Sequence, residues 1–181
     1  MTGLLSTRIH VLALAFVGAL VTGCGAVPEP AAGSQASAQE AGGCPLAVAD
    51  LSQATSLAWE LKEKRDDHLL ETLESVKATV CLYTAKDSPQ EGGDPLALRA
   101  DVVKGKDAAT VAKDFRDTCA DTGGKIRGET TATCERAGAV VEGLVADADR
   151  TVNVYLVNAD KSTATKLTPA FDAILSAVGK K

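Results

Sequence analysis

The sequence predicts an α+β fold for residues Cys44 to Lys181, an antiparallel β-sheet with helices packed on one face. Three observations predict it. Val76-Lys77-Ala78-Thr79-Val80-Cys81-Leu82-Tyr83-Thr84 is rich in β-branched residues and reads as a strand. Ala108, Val111, Ala112, Phe115 and Cys119 recur at the spacing of one helical face. Short β-type runs bounded by turn residues fill most of the remainder.

Taken in order, Val48 to Ser56 reads as a short helix with Leu51, Ala54 and Leu57 on one side. Leu57 to Asp67 suits either an edge strand or an extension of that helix. Strand is favoured, because Trp59 and Leu61, two apart, would share a face. After the Val76–Thr84 strand, Asp87-Ser88-Pro89 and Gly92-Gly93-Asp94-Pro95 mark Lys86 to Pro95 as a loop. Leu96 to Lys104 is the next strand, with Leu98, Ala100 and Val102 facing one way.

Asp107 is placed to cap a helix running to about Ala120, which Gly123-Gly124 ends. Three strands are expected to follow: Ile126 to Glu135, Ala139 to Ala146 and Thr151 to Asn158. The last two form a hairpin across Asp147-Ala148-Asp149-Arg150. Thr168-Pro169 opens a final helix, proline being well tolerated at a first helical position. Its apolar face is Ala170, Phe171, Ile174, Leu175 and Val178. The expected order is therefore α-βββ-α-βββ-α.

The N-terminus reads differently. Ile9 to Val21 is an apolar run of 13 residues preceded by Arg8 and no acid. It suits a signal peptide and falls short of the roughly 20 residues a spanning helix needs. Val21-Thr22-Gly23-Cys24 then has the form of a lipobox: an aliphatic residue, two small ones, and the cysteine that takes the lipid. Residues 25–43 are rich in Gly, Ala, Ser, Gln and Pro, carry one sizeable apolar side chain (Val27), and read as a disordered tether. Such a leash spans roughly 25 Å. The expected organisation is a signal peptide over 1–23, lipidated Cys24 with a tether to 43, and one domain over 44–181.

With Cys24 assigned to lipid, Cys44, Cys81, Cys119 and Cys134 remain, an even number that in an exported domain implies two disulfides. Three connectivities exist. Cys119 shares the buried helix face with Val111 and Phe115, and the reversal at Gly123-Gly124 brings Cys134 back along that helix. This favours Cys119–Cys134, which leaves Cys44–Cys81 to pin the start of the domain to the central strand.

The lipobox, the small-residue tether, the Cys44-Pro45-Leu46 opening, a mid-domain strand cysteine at Cys81 and the closing amphipathic helix together resemble the small surface lipoproteins of actinobacteria. The resemblance implies a location outside the cytoplasmic membrane and an α+β fold. It carries no catalytic residue across.

Chemistry is sparsely signalled. Removing residues 1–23 takes away Arg8 and no acid, so the net charge moves from −5 to about −6, which argues against nucleic acid. No nucleophile elbow, P-loop or C-x-x-C pair occurs. One histidine, His68, remains after residue 24, so a histidine-rich metal site is excluded, and no cofactor is called for. His68 beside Asp66 and Asp67 has the makings of a base oriented by a carboxylate, although a solvated charged edge explains the run better. Glu129, Glu135 and Glu142 lie in expected strands and are candidates for an acid–base pair; outward-facing polar residues on a one-sided sheet are the plainer reading. Asp147-Ala148-Asp149 faintly resembles a calcium loop, but Thr151 and Val152 stand where a ligand and glycine belong, which favours a hairpin turn. The expected function is a non-enzymatic binding or sensor-type module held to the bilayer by acylated Cys24, its ligand a small molecule, a cell-wall component or another protein of the cell envelope. The alternatives are a carboxylate-based hydrolase, or an inhibitor of a secreted enzyme acting through a protruding Lys86–Pro95 loop.

Overall fold

The computed structural model describes residues 42–179. The signal segment, Cys24 and the tether as far as residue 41 lie outside them. The elements run in the order α1 (Val48–Thr55), β1 (Trp59–Leu69), β2 (Lys77–Pro89), β3 (Pro95–Lys104), α2 (Ala108–Asp121), β4 (Lys125–Gly128), β5 (Thr131–Arg136), β6 (Ala139–Ala146), β7 (Arg150–Val157), α3 (Lys161–Leu167) and α4 (Phe171–Val178). The strands form one antiparallel sheet in the order β1-β2-β3-β7-β6-β5-β4. Two meanders, β1-β2-β3 and β4-β5-β6-β7, are thus zipped together along β3 and β7, with Leu98 opposite Leu156 and Val102 opposite Val152. The fold is α+β, with disulfides Cys44–Cys81 and Cys119–Cys134.

Helices cover both faces of the sheet, which corrects the expectation of one. Leu98, Ala100 and Val102 of β3 pack with Leu51 of α1 and with Ile174, Leu175 and Val178 of α4. Val103, on the opposite side of the same strand, packs with Val111 of α2. Phe115 and Cys119 of α2 pack with Ala132, Cys134 and Leu144. The clue was in β3 itself. Leu96, Ala97, Leu98, Ala100, Asp101, Val102 and Val103 are all buried, so the strand has no solvated side.

Three boundaries also differ. Ile126 to Glu135, expected as one strand, is the hairpin β4–β5. Gly128 makes its turn at φ 86°, and a Cβ there would come 2.0 Å from the Thr131 carbonyl oxygen. Lys86 to Pro95 is no protruding loop: β2 continues to Pro89, which pairs with Pro95, and only Gln90 to Asp94 turn the chain, closed by Gln90 N–H donating to the Asp94 carbonyl (2.8 Å). Before the last helix stands a further one, α3, whose start Asp160 caps by accepting the Thr163 N–H (2.7 Å). Thr168-Pro169-Ala170 is a 3₁₀ turn joining α3 to α4.

α2 is fixed in place from several sides. Gly105–Asp107 forms a 3₁₀ turn into it, and the Asp107 side chain makes no capping bond, contrary to expectation. Instead Gly105 N–H donates to Asp149 (2.6 Å), and the buried Thr151 hydroxyl donates to the Ala108 carbonyl (2.9 Å). Arg116 donates to the Glu129 carbonyl (2.6 Å) and Cys119 is bonded to Cys134. α2 therefore lies over β7, β6 and β4 and leaves part of the β3–β7 surface uncovered.

Candidate functional site

That uncovered surface is the floor of a cleft of about 370 Å³. One wall is α2, through Val111, Asp114, Phe115 and Thr118; the other is the β1–β2 connection, through Leu70 to Leu73. The connection is a tight turn held by Leu70 N–H donating to Val76 (3.0 Å) and Val76 N–H to Leu73 (2.8 Å), with Leu70 and Val76 buried beneath it.

The floor is polar, and strand register explains how. Arg99 on β3, Tyr155 on β7 and Glu142 on β6 are successive partners across three strands. Two pairs further along, Asp101 faces Asn153. Alternation then places all five on the α2 side, between two apolar patches: Val80, Val103 and Val111 to one side, Phe115, Cys134 and Leu144 to the other.

Charges here are paired with care, because burying one alone is costly. Arg99 Nε donates to Asp101 Oδ1 (2.8 Å), its Nη1 lies 3.7 Å from Glu71, and its guanidinium stands 5.6 Å from the centre of the Tyr155 ring. Arg136 Nη2 donates to Glu142 Oε2 (3.0 Å), while Asn153 Nδ2 donates to Glu142 Oε1 (2.9 Å). Asp101 is 4 % exposed, and burial holds its carboxyl above the ordinary range despite the hydrogen bond and charge of Arg99 and the nearby His68. Glu142 is likewise pushed up, first by burial and further by the like charge of Asp114; Asn153 and Arg136 pull the other way. Burial works against the charge on Arg99, but Asp101 outweighs it and raises the guanidinium. Tyr155 is driven well above its ordinary value by burial and by Asp101.

Two buried atoms are left over. Arg136 Nε, a donor, and Asn153 Oδ1, an acceptor, are the buried side-chain polar atoms without a partner among the described residues. Both residues line the cleft, and both already hold the same carboxylate. Buried polar groups are nearly always satisfied, and an orphan costs about 1–3 kcal/mol. Both atoms are shut off from solvent as the side chains stand, so a ligand in the cleft with one acceptor and one donor completes them once Arg136 and Asn153 turn toward it.

Of the candidate chemical residues the sequence singled out, Glu142 alone lines this cleft. Glu129 sits exposed in the β4–β5 turn, and Glu135 pairs with Arg127 (2.6 Å). His68 lies half-buried on β1 opposite Ala78 and bears electrostatically on Asp101. Asp66 is taken by Lys64 (2.6 Å) and Thr79 (3.0 Å). Asp147-Ala148-Asp149 forms the β6–β7 turn, with Asp147 N–H donating to Arg150 (2.7 Å). No group of three or more His, Cys, Asp or Glu is placed to hold a metal ion among the described residues. Arg99, Asp101, Asn153 and Tyr155 were missed. A signal existed: a charged i, i+2 pair inside Leu-Arg-Ala-Asp-Val-Val marks a buried ion pair once both faces of the strand are recognised as covered.

Two disulfides fit a protein that folds outside the reducing cytoplasm, and no helix among the described residues is long and apolar enough to cross a membrane. No family model matches the chain, and neither a curated protein nor a solved structure does.

Proposed function

We propose that this chain is an extracytoplasmic lipoprotein, anchored through acylated Cys24, whose domain binds a small polar ligand in the cleft between α2 and the Leu70–Leu73 turn. The observation that carries the binding reading is the pair of buried, unpartnered atoms, Arg136 Nε and Asn153 Oδ1, in one cleft of ligand-accommodating size. The anchor rests on the lipobox Val21-Thr22-Gly23-Cys24 and on the disulfides that go with export.

A carboxylate-based hydrolase is the second reading, favoured by Asp101 and Glu142 being held above the ordinary range in the same cleft. Their engagement weighs against it. Glu142 is held at both oxygens by Asn153 and Arg136, and Asp101 is buried against Arg99, so both carboxylates are engaged in structural pairs and neither is aimed at a water or a nucleophile by any hydrogen bond among the described residues.

Two measurements test the proposal. Metabolic labelling with palmitate should mark the wild type and not Cys24→Ala; an unlabelled wild type sinks the anchor. For the cleft, side-chain nitrogen resonances of Asn153 and Arg136 should shift on titration with at least one member of a set of small cationic, neutral and anionic compounds. Silence at both across the whole set would remove the binding reading.

A further inference from the structure

The charge distribution of the cleft narrows the ligand, given that the cleft is a binding site as proposed above. Each of its arginines already has a carboxylate partner. Arg99 is held by Asp101 with Glu71 nearby and Tyr155 beside it, and Arg136 spends Nη2 on Glu142. Opposing these two cations are four carboxylates: Glu71, Asp101, Asp114 and Glu142. Glu71 is at the rim, its side chain 82 % exposed. Asp114 is the one within. It is half-buried on α2, has no cationic partner within 4.0 Å among the described residues, and bears electrostatically on Glu142 across the cleft. An unpaired carboxylate facing a paired one is a site for positive charge.

We infer that the cleft takes a small organic cation, an ammonium group with a neutral carbonyl close to it, as at the N-terminus of a short peptide or in an amino-acid amide. With the Asn153 and Arg136 side chains turned toward the cleft, the ammonium sits between Asp114 and Asn153 Oδ1, giving the orphan acceptor an N–H. The carbonyl oxygen accepts from Arg136 Nε, satisfying the orphan donor. Since Asn153 and Arg136 both hold Glu142, the two ligand groups must lie near each other, as an α-ammonium and its own carbonyl do. The apolar part of such a ligand meets Leu70, Leu73 and Phe115 on the facing walls. A bare metal cation is a poor match, because both Glu142 oxygens are engaged by Asn153 and Arg136, Asp101 is held by Arg99, and among the described residues no group of three or more His, Cys, Asp or Glu is placed to hold one.

The test uses four matched probes on the full chain: leucinamide, N-acetyl-leucinamide, N-acetyl-leucine and isopentylamine, read by the Asn153 and Arg136 side-chain resonances. Leucinamide should bind at least about tenfold more tightly than its neutral acetyl form. Isopentylamine, which lacks the carbonyl, should shift Asn153 and leave Arg136 Nε unmoved. Asp114→Asn should erase the preference for leucinamide over the acetyl form, with its far-ultraviolet spectrum and thermal midpoint confirming that it remains folded. Equal or tighter binding of N-acetyl-leucinamide or N-acetyl-leucine overturns the cationic inference while the cleft stands as a binding site. An undiminished preference in Asp114→Asn also overturns it. No response to any probe, with Asn153 and Arg136 silent to every compound tried, overturns the cleft reading itself.

Discussion

Tyr83 donates its buried hydroxyl to the Leu46 carbonyl at 2.8 Å. Leu46 lies two residues after Cys44, and Tyr83 two residues after Cys81, so the hydrogen bond runs parallel to the Cys44–Cys81 bridge on the same face of β2. Burial pushes the phenol far above its ordinary value, which keeps it protonated and donating to Leu46. Tyr83→Phe leaves a buried carbonyl unpaired and should cost about 1–3 kcal/mol in urea unfolding. The loss should shrink in a Cys44→Ala, Cys81→Ala background, where Leu46 is no longer held against the strand. A loss of the same size in both backgrounds would show the two contacts to be independent.

The disulfides themselves should rank by loop length. Closing 15 residues constrains the unfolded chain less than closing 37. In the chain-entropy account, removing Cys119–Cys134 costs about 3 kcal/mol and removing Cys44–Cys81 about 4. Paired Cys→Ala variants compared by denaturant midpoint give the order; the reverse order would mean that α2 packing depends on its bridge more than the chain entropy does.

Phe115 is 2 % exposed and packs with Ala132, Cys134 and Leu144. Phe115→Ala should destabilise by about 3–5 kcal/mol and widen the cleft it lines. Wild-type stability would mean that the apolar patch under α2 collapses to fill the gap.

Gly143 on β6 lies beneath α4. A Cβ there would come 2.8 Å from Leu175 Cδ1, so Gly143→Ala overpacks the helix–sheet interface and should cost about 1–3 kcal/mol. Pairing it with Leu175→Ala should cost less than the two single effects added together. Simple additivity would place the strain elsewhere.

Glu142 gives a pH dependence of unusual sign. Its carboxyl is raised above the ordinary 4.5, mainly by burial. A folded-state acid with a raised value binds more protons than the unfolded chain across the interval between the two values. Stability therefore falls as pH rises through that interval, the penalty being absent below the unfolded value and complete above the folded one. Glu142→Gln should flatten this fall in a series of unfolding curves started at the ordinary carboxylate value and carried upward. Asp101, raised for the same reason, retains its share in that variant. A fall as steep as the wild type's would mean that Glu142 is not the group responsible.

The sequence carried the strands and both bridges for a local reason. A cysteine on the buried face of α2 followed by a reversal at Gly123-Gly124 has few places to send its partner. α3 escaped notice because Ser162, Thr163 and Thr165 are indifferent helix formers, and Asp160 is its one clear marker. The cleft was hidden for a different reason. Arg99 and Asp101 stand about fifty residues from Asn153 and Tyr155 in sequence, and only the β3–β7 pairing brings them together. Glu142 was read as solvated because the face it occupies was expected to be open, and α2 covers part of that face.

The Cys44–Cys81 bridge also determines how the molecule would carry tension. A pull transmitted along the chain ahead of Cys44 passes through the sulfur atoms into the middle of β2 and bypasses residues 45–80, which hold α1 and β1. From Cys81 the load crosses one ladder, to its partner Ala100. Ala100 sits between Arg99 and Asp101, so the force reaches the strand that floors the cleft after a single rung.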